Sequence, residues 1–430
     1  MGRPRNIDQL AGTGSLNATR IGAALAVIAA TYFAITEYRP QGDFFSLFLS
    51  RPHLLCAAAF GLVTRRLDPH VAAPLVSGLS FAIIAGFFGW IPLVVSVAQA
   101  LVLYPAVALT YRRSATAQAL ATTAALGAGL CACWLLRVQS LGPIGLWVFA
   151  LLRYISFSVD VRRGARPDFV PFLCYGFYYP ALLQTEQYAD FTAKNLVSGW
   201  QPDYVRAARR LALGWLKITA AIAVPHSFAD VLVISSFASG WGTVLVVYVK
   251  TVLFIGGAFD CIQGVSSLHG ITIRENFPGV LLAHSPSMFW RRWRATMTDF
   301  FISYVYIPLG GREHRSRNIV AVFACSVLWH WIGVPFSGGK LFFPHYLPVL
   351  MFGIWNASIM VVAGYFQAKP RADDAKHDNP EAAGYREFRI LATAVFGSIT
   401  INILAYRPQT ADALVSNMKV LFPVLALLGH

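Results

Sequence analysis

The side chains best suited to chemistry lie in the stretch Phe-Trp-Arg-Arg-Trp-Arg at residues 289–294 and at His330, which follows it inside an apolar run. A guanidinium group presents hydrogen-bond donors in a fixed planar arrangement that suits phosphate or carboxylate. An imidazole titrates near neutral pH and can act as a general base there. Arginine and histidine side chains cost free energy at bilayer depth, so their presence there in a membrane protein indicates a function. This stretch is therefore the first place to look for a reaction site.

The composition indicates what surrounds these residues. Of the 430 residues, 56% are hydrophobic and only 13% are charged, and the mean hydropathy is +0.55. The apolar residues exceed those of a soluble domain and come in blocks of about 20, the length with which a helix crosses a bilayer. The sequence therefore predicts an all-α, polytopic membrane protein.

Roughly eleven blocks have the length and composition of membrane-spanning helices. They are Ile21–Tyr38, Val71–Trp90, Ile91–Tyr111, Ala115–Leu136, Leu141–Ser158, Leu211–Val224, Thr243–Phe259, Asn318–Val334, Leu347–Phe366, Phe388–Ala405 and Leu414–Leu428. Two shorter runs, Pro52–Val63 and Phe169–Leu183, are left open as tilted spans, re-entrant segments or interfacial helices. We expect one integral-membrane domain over residues 1–430, with a polar N-terminal segment at 1–20, a first span that is not cleaved as a signal peptide, and a polar loop at 367–387.

The net charge of +15 comes largely from arginines in short loops. Basic short loops mark the cytoplasmic side of a membrane protein and are attracted to anionic headgroups. The chain has no soluble module with a basic face and interleaved aromatic residues, which argues against a nucleic-acid partner. We therefore expect a multi-pass protein of the cell membrane (inner or plasma membrane), in contact with lipid.

The six cysteines lie singly or as Cys-Ala-Cys within apolar stretches. The chain has no Cys-x-x-Cys pair, and the neighbours His53 and Cys56 supply too few ligands for a zinc site. We therefore expect no metal cofactor and no structural disulfide.

The spacing around the tryptophans predicts a helix that begins at Pro286 with Ser285 as a possible cap. Trp290, Trp293 and Met297 would share one face of this helix, and the arginines would spread over the rest. The same pattern fits an amphipathic helix in the membrane interface with its arginines extended to the headgroups, and that alternative stays open.

Several short motifs occur in the same order as in a known protein family. Along the chain they are Arg153-Tyr-Ile-Ser-Phe-Ser-Val-Asp-Val-Arg-Arg-Gly164, Phe177-Tyr-Tyr-Pro-Ala-Leu-Leu183, Tyr188-Ala-Asp-Phe191, Gly257-Ala-Phe-Asp260, Glu275-Asn-Phe277, Phe289-Trp-Arg-Arg-Trp293, Tyr306-Ile-Pro-Leu-Gly-Gly311 and Leu328-Trp-His330. Each motif is weak alone, whereas the ordered series is specific. The chain resembles the membrane-bound O-acyltransferase family, in particular its bacterial branch of alginate O-acetylases and teichoic acid D-alanyl transfer proteins.

The resemblance implies a catalytic core at residues 153–334, with helices around a central chamber and His330 as the general base. An imidazole suits this role because it can take the proton of an acceptor hydroxyl as that hydroxyl attacks a thioester. The implied acyl donor is acetyl-CoA, and the implied acceptor is a hydroxyl of a cell-envelope or secreted polysaccharide or its precursor. The bacterial branch also implies a second glycan-acetylation protein as a partner.

Flat rings and guanidinium groups suit the adenine and the phosphates of coenzyme A. The candidates for binding the donor or the acceptor are therefore Trp290, Arg291, Arg292, Trp293, Arg294 and Trp329, with interfacial anchoring as the alternative. Asp260, Asn276 and Asp299 are candidates for orienting a substrate or supporting the base. For Asp260, an ion pair with a nearby arginine is an equally good interpretation.

The chain departs from the family pattern at two places. Many relatives carry a second histidine where this chain has Arg294, and a guanidinium cannot act as a base at neutral pH. Arg294 would then hold a phosphate or carboxylate, or form a structural ion pair, for instance with Asp299. In the second departure, the family's Ala-Gly-Pro is replaced by Gln184-Thr185-Glu186, which affects the local loop and could change substrate specificity.

A transporter or flippase for a lipid-linked glycan is the main alternative function. In that hypothesis Asp160, Asp260 and His330 are relay or substrate-binding residues, and no covalent bond forms. A third hypothesis is a non-catalytic membrane scaffold, which the missing second histidine favours and the pair Trp329-His330 opposes.

Overall fold

The computed structural model describes residues 7–37, 44–65, 67–135, 146–197, 201–224, 237–336, 343–367 and 380–405. Their helices are α1 Ile7–Glu37, α2 Phe44–Leu47, α3 Arg51–Thr64, α4 Pro69–Phe88, α5 Trp90–Thr110, α6 Ala115–Leu135, α7 Leu146–Arg162, α8 Phe169–Phe177, α9 Tyr188–Thr192, α10 Tyr204–Ala223, α11 Phe237–Leu268, α12 Pro286–Arg292, α13 Ala295–Phe301, α14 Arg315–Phe336, α15 Phe343–Gln367 and α16 Pro380–Ala405. Short 3-10 turns cover Tyr179–Ala181 and Val280–Leu282, and π-helical turns cover Ala193–Val197 and Ile302–Tyr306. The all-α prediction is confirmed for the residues described.

Five helical segments are long and apolar enough to cross a membrane, and they identify an integral membrane protein: Asn17–Glu37, Pro69–Phe88, Trp90–Thr110, Val244–Leu268 and Leu347–Tyr365. The described residues of the remaining predicted spans also fall on helices, and Leu414–Leu428 lies outside the described residues. Among them, α10 and α14 carry several arginines in their first turns. The total of about eleven spans stays a prediction.

Local sequence sets several helix boundaries. The side chain of Asp68 caps α4 by accepting the backbone N–H of His70 at 2.8 Å. Gly89 alone separates α4 from α5, with φ of 97°, a left-handed backbone that favours glycine. Two membrane-spanning helices can therefore follow each other without a loop. The shorter predicted run Phe169–Leu183 is divided, because α8 ends at Phe177 and a 3-10 turn follows.

Contacts divide the chain into two compact units, Met1–Leu213 with Asp260–Arg274, and Gly214–Phe259 with Glu275–His430. The first unit buries charged side chains among aromatic rings. Arg153 is 2% exposed, and its Nη1 donates to the carbonyl oxygen of Ala181 at 2.9 Å. The buried Asp160 accepts the backbone N–H of Ala189 at 3.0 Å through Oδ2. These side chains hold α7 to the segments that follow it.

Within the first unit, α10 and the end of α11 approach closely. Nη1 of Arg210 lies 2.7 Å from Oδ1 of Asp260, and these side chains are 12% and 4% exposed. A Cβ added to Gly264 would lie 2.7 Å from Cγ of Leu211, so only glycine fits there. Asp260 therefore forms an ion pair between two tightly packed helices.

In the second unit, glycines let α12, α14, α15 and α16 pack closely. A Cβ on Gly353 of α15 would collide with Val327 of α14. A Cβ on Gly397 of α16 would lie 2.8 Å from a ring carbon of Phe289 in α12. Small residues at helix contacts are the usual means by which membrane helices approach one another. The stretch at residues 289–294, which we call the tryptophan–arginine motif, is thus packed against α14, the helix that carries His330, and against the neighbouring helices α15 and α16.

Candidate active site

The tryptophan–arginine motif forms two short helices rather than one. As predicted, the first helix begins at Pro286, and Oγ of Ser285 accepts the backbone N–H of Met288 at 3.2 Å. The prediction of a continuous helical face through Trp293 and Met297 is wrong, because α12 ends at Arg292 and Trp293 is extended. A new helix, α13, starts after Arg294.

Asn276 is the physical reason for this break. Its carbonyl oxygen accepts the backbone N–H of Ala295 at 2.9 Å, and its Oδ1 accepts the backbone N–H and the hydroxyl of Thr296 at 3.0 and 2.8 Å. These bonds satisfy groups at the first turn of α13 that have no partner within the helix. Asn276, a predicted support residue, therefore sets the path of the chain through the motif.

Arg294 occupies the break itself. Its backbone has φ of 46° and ψ of 56°, a left-handed conformation that is rare outside glycine. Its guanidinium carbon lies 5.9 Å from the ring centre of Phe259. Removal from water lowers the pKa of Arg294 to about 10, so the side chain stays cationic at neutral pH. Arg294 can therefore bind an anion but cannot serve as a base.

His330 lies near the end of α14, between two aromatic side chains. Its ring centre is 4.6 Å from that of Trp329 and 5.8 Å from that of Phe352 on α15, with interplanar angles of 68° and 78°. Trp329 is 8% exposed, whereas His330 is partly accessible. The imidazole thus stands edge-on to fixed rings and keeps an accessible portion, as a proton-transferring side chain requires.

Trp290 belongs to the same aromatic cluster. Its ring centre is 5.9 Å from that of Phe352, the residue that also contacts His330, and 5.6 Å from that of Phe323 on α14. The carbonyl oxygen of Trp290 accepts the hydroxyl of Thr298 at 2.6 Å. Trp290 and His330 therefore lie against the same aromatic ring. We call the cluster of Trp290, Phe323, His330 and Phe352 the Phe352 wall.

The other motif residues have different surroundings. Trp293 is 7% exposed and stacks on Phe289 with ring centres 5.8 Å apart. Arg292 donates through Nη1 to the carbonyl oxygen of Gly279 at 2.9 Å, and Arg291 is exposed. Trp293 therefore packs in the core of its unit. The roles of Arg291 and Arg292 in binding the donor stay predictions.

The remaining support candidates lie on other elements. Asp260 pairs with Arg210 in the first unit, as described above. Asp299 is half-buried on α13, one helix after the tryptophans. Their roles in orienting a substrate stay predictions. In the part of the chain that the structure describes, no group of three His, Cys, Asp or Glu side chains could hold a metal ion.

Sequence reasoning missed two kinds of residue. Phe323 and Phe352 shape the surroundings of His330, but each lies in an apolar helix where nothing in the sequence distinguishes it from its neighbours. Glu186 is buried, and its Oε1 lies 3.0 Å from Nζ of Lys194. The departure from the family pattern at Gln184-Thr185-Glu186 was the available signal for that ion pair.

The sequence profile of the MBOAT, membrane-bound O-acyltransferase family matches residues 146–336. These limits coincide with the start of α7 and the end of α14. The matched part therefore contains the motif residues from Arg153 to His330, including both short helices of the tryptophan–arginine motif.

Curated relatives match parts of the chain. The probable alginate O-acetylase AlgI of Pseudomonas syringae is 26% identical over 209 residues, which cover 45% of this chain and 40% of that protein. The peptidoglycan O-acetyltransferase of Helicobacter pylori is 32% identical over 105 residues, 24% of this chain and 20% of that protein. The membrane-bound O-acyltransferase GUP1 of Saccharomyces cerevisiae is 28% identical over 121 residues, 23% of this chain and 22% of that protein.

The matches to these relatives span less than half of their length. Together with the family profile over residues 146–336, they show that this part of the chain is similar to the membrane-bound O-acyltransferase family and to its bacterial O-acetylases.

Proposed function

We propose that this protein is an O-acyltransferase that moves an acetyl group from acetyl-CoA to a hydroxyl of a cell-envelope or secreted polysaccharide or its precursor. The observation that carries the proposal is His330, which ends the family's ordered motifs and stands edge-on between Trp329 and Phe352. The names of the relatives, alginate O-acetylase and peptidoglycan O-acetyltransferase, support acetyl as the group and a polysaccharide as the acceptor.

In the proposed reaction, His330 takes the proton of the acceptor hydroxyl as the oxygen attacks the thioester carbon. A carbon–oxygen bond forms, the carbon–sulfur bond breaks, and the coenzyme A thiolate leaves with the proton that the imidazolium returns. The products are an acetyl ester and free coenzyme A. The neutral imidazole is the form that accepts this proton.

The proposed setting is the cell membrane, with acetyl-CoA supplied from the cytoplasm. By analogy with the relatives, the acceptor is reached either directly or through a second glycan-acetylation protein. Arg294 stays cationic and is the proposed contact for a phosphate or carboxylate of donor or acceptor.

The transporter hypothesis receives no support from the carboxylates on which it depends. Asp260 is paired with Arg210, and Asp160 binds the backbone of α9. A relay carboxylate passes protons between neighbouring groups, whereas these two carboxylates are engaged with an arginine and a backbone N–H of the fold.

The test compares wild-type protein with His330→Ala in membranes supplied with acetyl-labelled acetyl-CoA and a glycan fraction. We expect alkali-labile label on the glycan with wild type, and a loss of about 100- to 10,000-fold with His330→Ala. His70→Ala is the matched control, because His70 is an exposed histidine of the first unit. Equal transfer by His330→Ala and wild type would overturn the assignment.

A further inference from the structure

Trp290 carries a buried hydrogen-bond donor whose role is not explained by the packing of its ring. Its Nε1 atom is removed from solvent and has no hydrogen-bond partner among the residues that the structure describes. A buried indole N–H usually finds an acceptor, because leaving it without one costs about 1–3 kcal/mol. An acceptor that arrives with a substrate would satisfy this donor.

The ring of Trp290 is held in one orientation. Phe289, Phe323 and Phe352 lie at 5.3, 5.6 and 5.9 Å between ring centres, with interplanar angles of 85°, 69° and 80°. The hydroxyl of Thr298 fixes the backbone of the same residue. Three edge-on neighbours hold the half-buried indole, which favours a role for its N–H over stacking of its face on an adenine. A donor fixed in advance needs no rearrangement when charge develops nearby.

The Phe352 wall places this donor in the same aromatic cluster as His330. The ring of Phe352 contacts His330 at 5.8 Å and Trp290 at 5.9 Å between centres. Thioester attack develops negative charge on the carbonyl oxygen while the base takes a proton. An enzyme that catalyses this step needs a donor for the oxygen as well as a base.

We propose that the indole N–H of Trp290 donates to the thioester carbonyl oxygen and stabilises the oxyanion that forms on it. The inference rests on the proposed acyl transfer. As the acceptor oxygen bonds to the carbonyl carbon, the carbonyl electron pair moves onto the oxygen that faces Nε1. His330 holds the acceptor's proton. The pair then returns, the carbon–sulfur bond breaks, and the thiolate takes the proton from His330. Trp290 contributes a hydrogen bond throughout and transfers no proton.

The decisive variant replaces Trp290 with 3-benzothienylalanine, in which sulfur takes the place of the N–H group in a ring of nearly the same shape. We expect kcat to fall about 100- to 1,000-fold, the usual loss when one oxyanion donor is removed, with an unchanged KM for acetyl-CoA. Trp290→Phe should lose at least as much activity. The same replacement at Trp355 is the matched control, because its indole Nε1 is also buried without a partner in the described part of the chain, while its ring stacks on Phe396 instead.

Each result of this experiment decides the inference. If the benzothienyl protein keeps wild-type kcat, the N–H has no catalytic role and the inference is wrong. If KM for acetyl-CoA rises while kcat is unchanged, Trp290 binds the donor and stabilises no oxyanion. The proposed function is tested separately, because a fully active His330→Ala protein would overturn acyl transfer through His330. An inactive His330→Ala protein together with a fully active benzothienyl protein would overturn only the role of Trp290.

Discussion

In the first unit, the buried carboxylates have partners, whereas in the second unit the indole N–H of Trp290 has none among the described residues. Asp260 pairs with Arg210, Asp160 accepts a backbone N–H, and Glu186 pairs with Lys194. Trp290 is enclosed by aromatic rings instead.

This difference separates two uses of polar groups inside a membrane protein. A buried charge with a partner holds elements together, and its removal leaves the partner uncompensated. A buried donor without a partner costs free energy until a ligand supplies an acceptor. Substitutions in the first unit should therefore reduce stability, and substitutions at the Phe352 wall should reduce turnover.

The largest expected effect on stability tests the first half of this comparison. Asp260→Ala leaves Arg210 in a largely buried position without its carboxylate, and we expect the free energy of unfolding in mixed micelles to fall by about 3–5 kcal/mol. The double variant Arg210→Met/Asp260→Leu should recover much of this loss. A protein with Asp260→Ala that keeps full stability but loses turnover would show that Asp260 acts in the reaction.

A smaller effect is expected at the break between α12 and α13. Asn276→Ala removes the two bonds to Thr296, and we expect a loss of about 1–3 kcal/mol of stability together with a lower kcat, because the break positions the motif. Thr296→Val removes only the hydroxyl bond and should cost less. The measurements are thermal unfolding in detergent and acetyl transfer at saturating acetyl-CoA. A reduced kcat without any loss of stability would argue for direct contact between Asn276 and a substrate.

The smallest effect concerns pH. Burial raises the pKa of Glu186 above its ordinary value of 4.5, and the ammonium of Lys194 opposes the rise. The folded protein thus holds this proton more tightly than the unfolded chain, so the contribution to stability is full below pH 4.5 and is lost as pH rises through the folded pKa. Relative to the Glu186→Gln variant, the wild-type protein should lose thermal stability as pH rises from 4.5 to the folded pKa of Glu186.

The control for the pH experiment is Lys194→Gln, which removes the opposing charge and should move the loss of stability to higher pH. Parallel curves of melting temperature against pH for wild type and Glu186→Gln would show that the carboxyl titrates alike in folded and unfolded protein. Burial in the first unit would then not raise the pKa of Glu186.

The sequence predicted helices well because each apolar block is long enough to be recognised without knowledge of its neighbours. It also predicted the cap at Ser285, since a polar residue before proline is a local signal. The break at Arg294 could not be predicted, because it depends on hydrogen bonds that Asn276, which lies well before it in the sequence, accepts from Ala295 and Thr296. Phe352 was missed for the same reason: its contacts with Trp290 and His330 join residues that no local pattern relates.

The left-handed residue at the break has a consequence for how this site can change in evolution. The backbone path at Arg294 is held by hydrogen bonds that Asn276 accepts from Ala295 and Thr296, and these bonds involve no side-chain atom of residue 294. The family resemblance implies a histidine there in many relatives, and one base change converts a histidine codon to an arginine codon. A single mutation can therefore replace a titrating ring with a permanent cation while the chain keeps its course, so the chemistry at this position can diverge without a new fold.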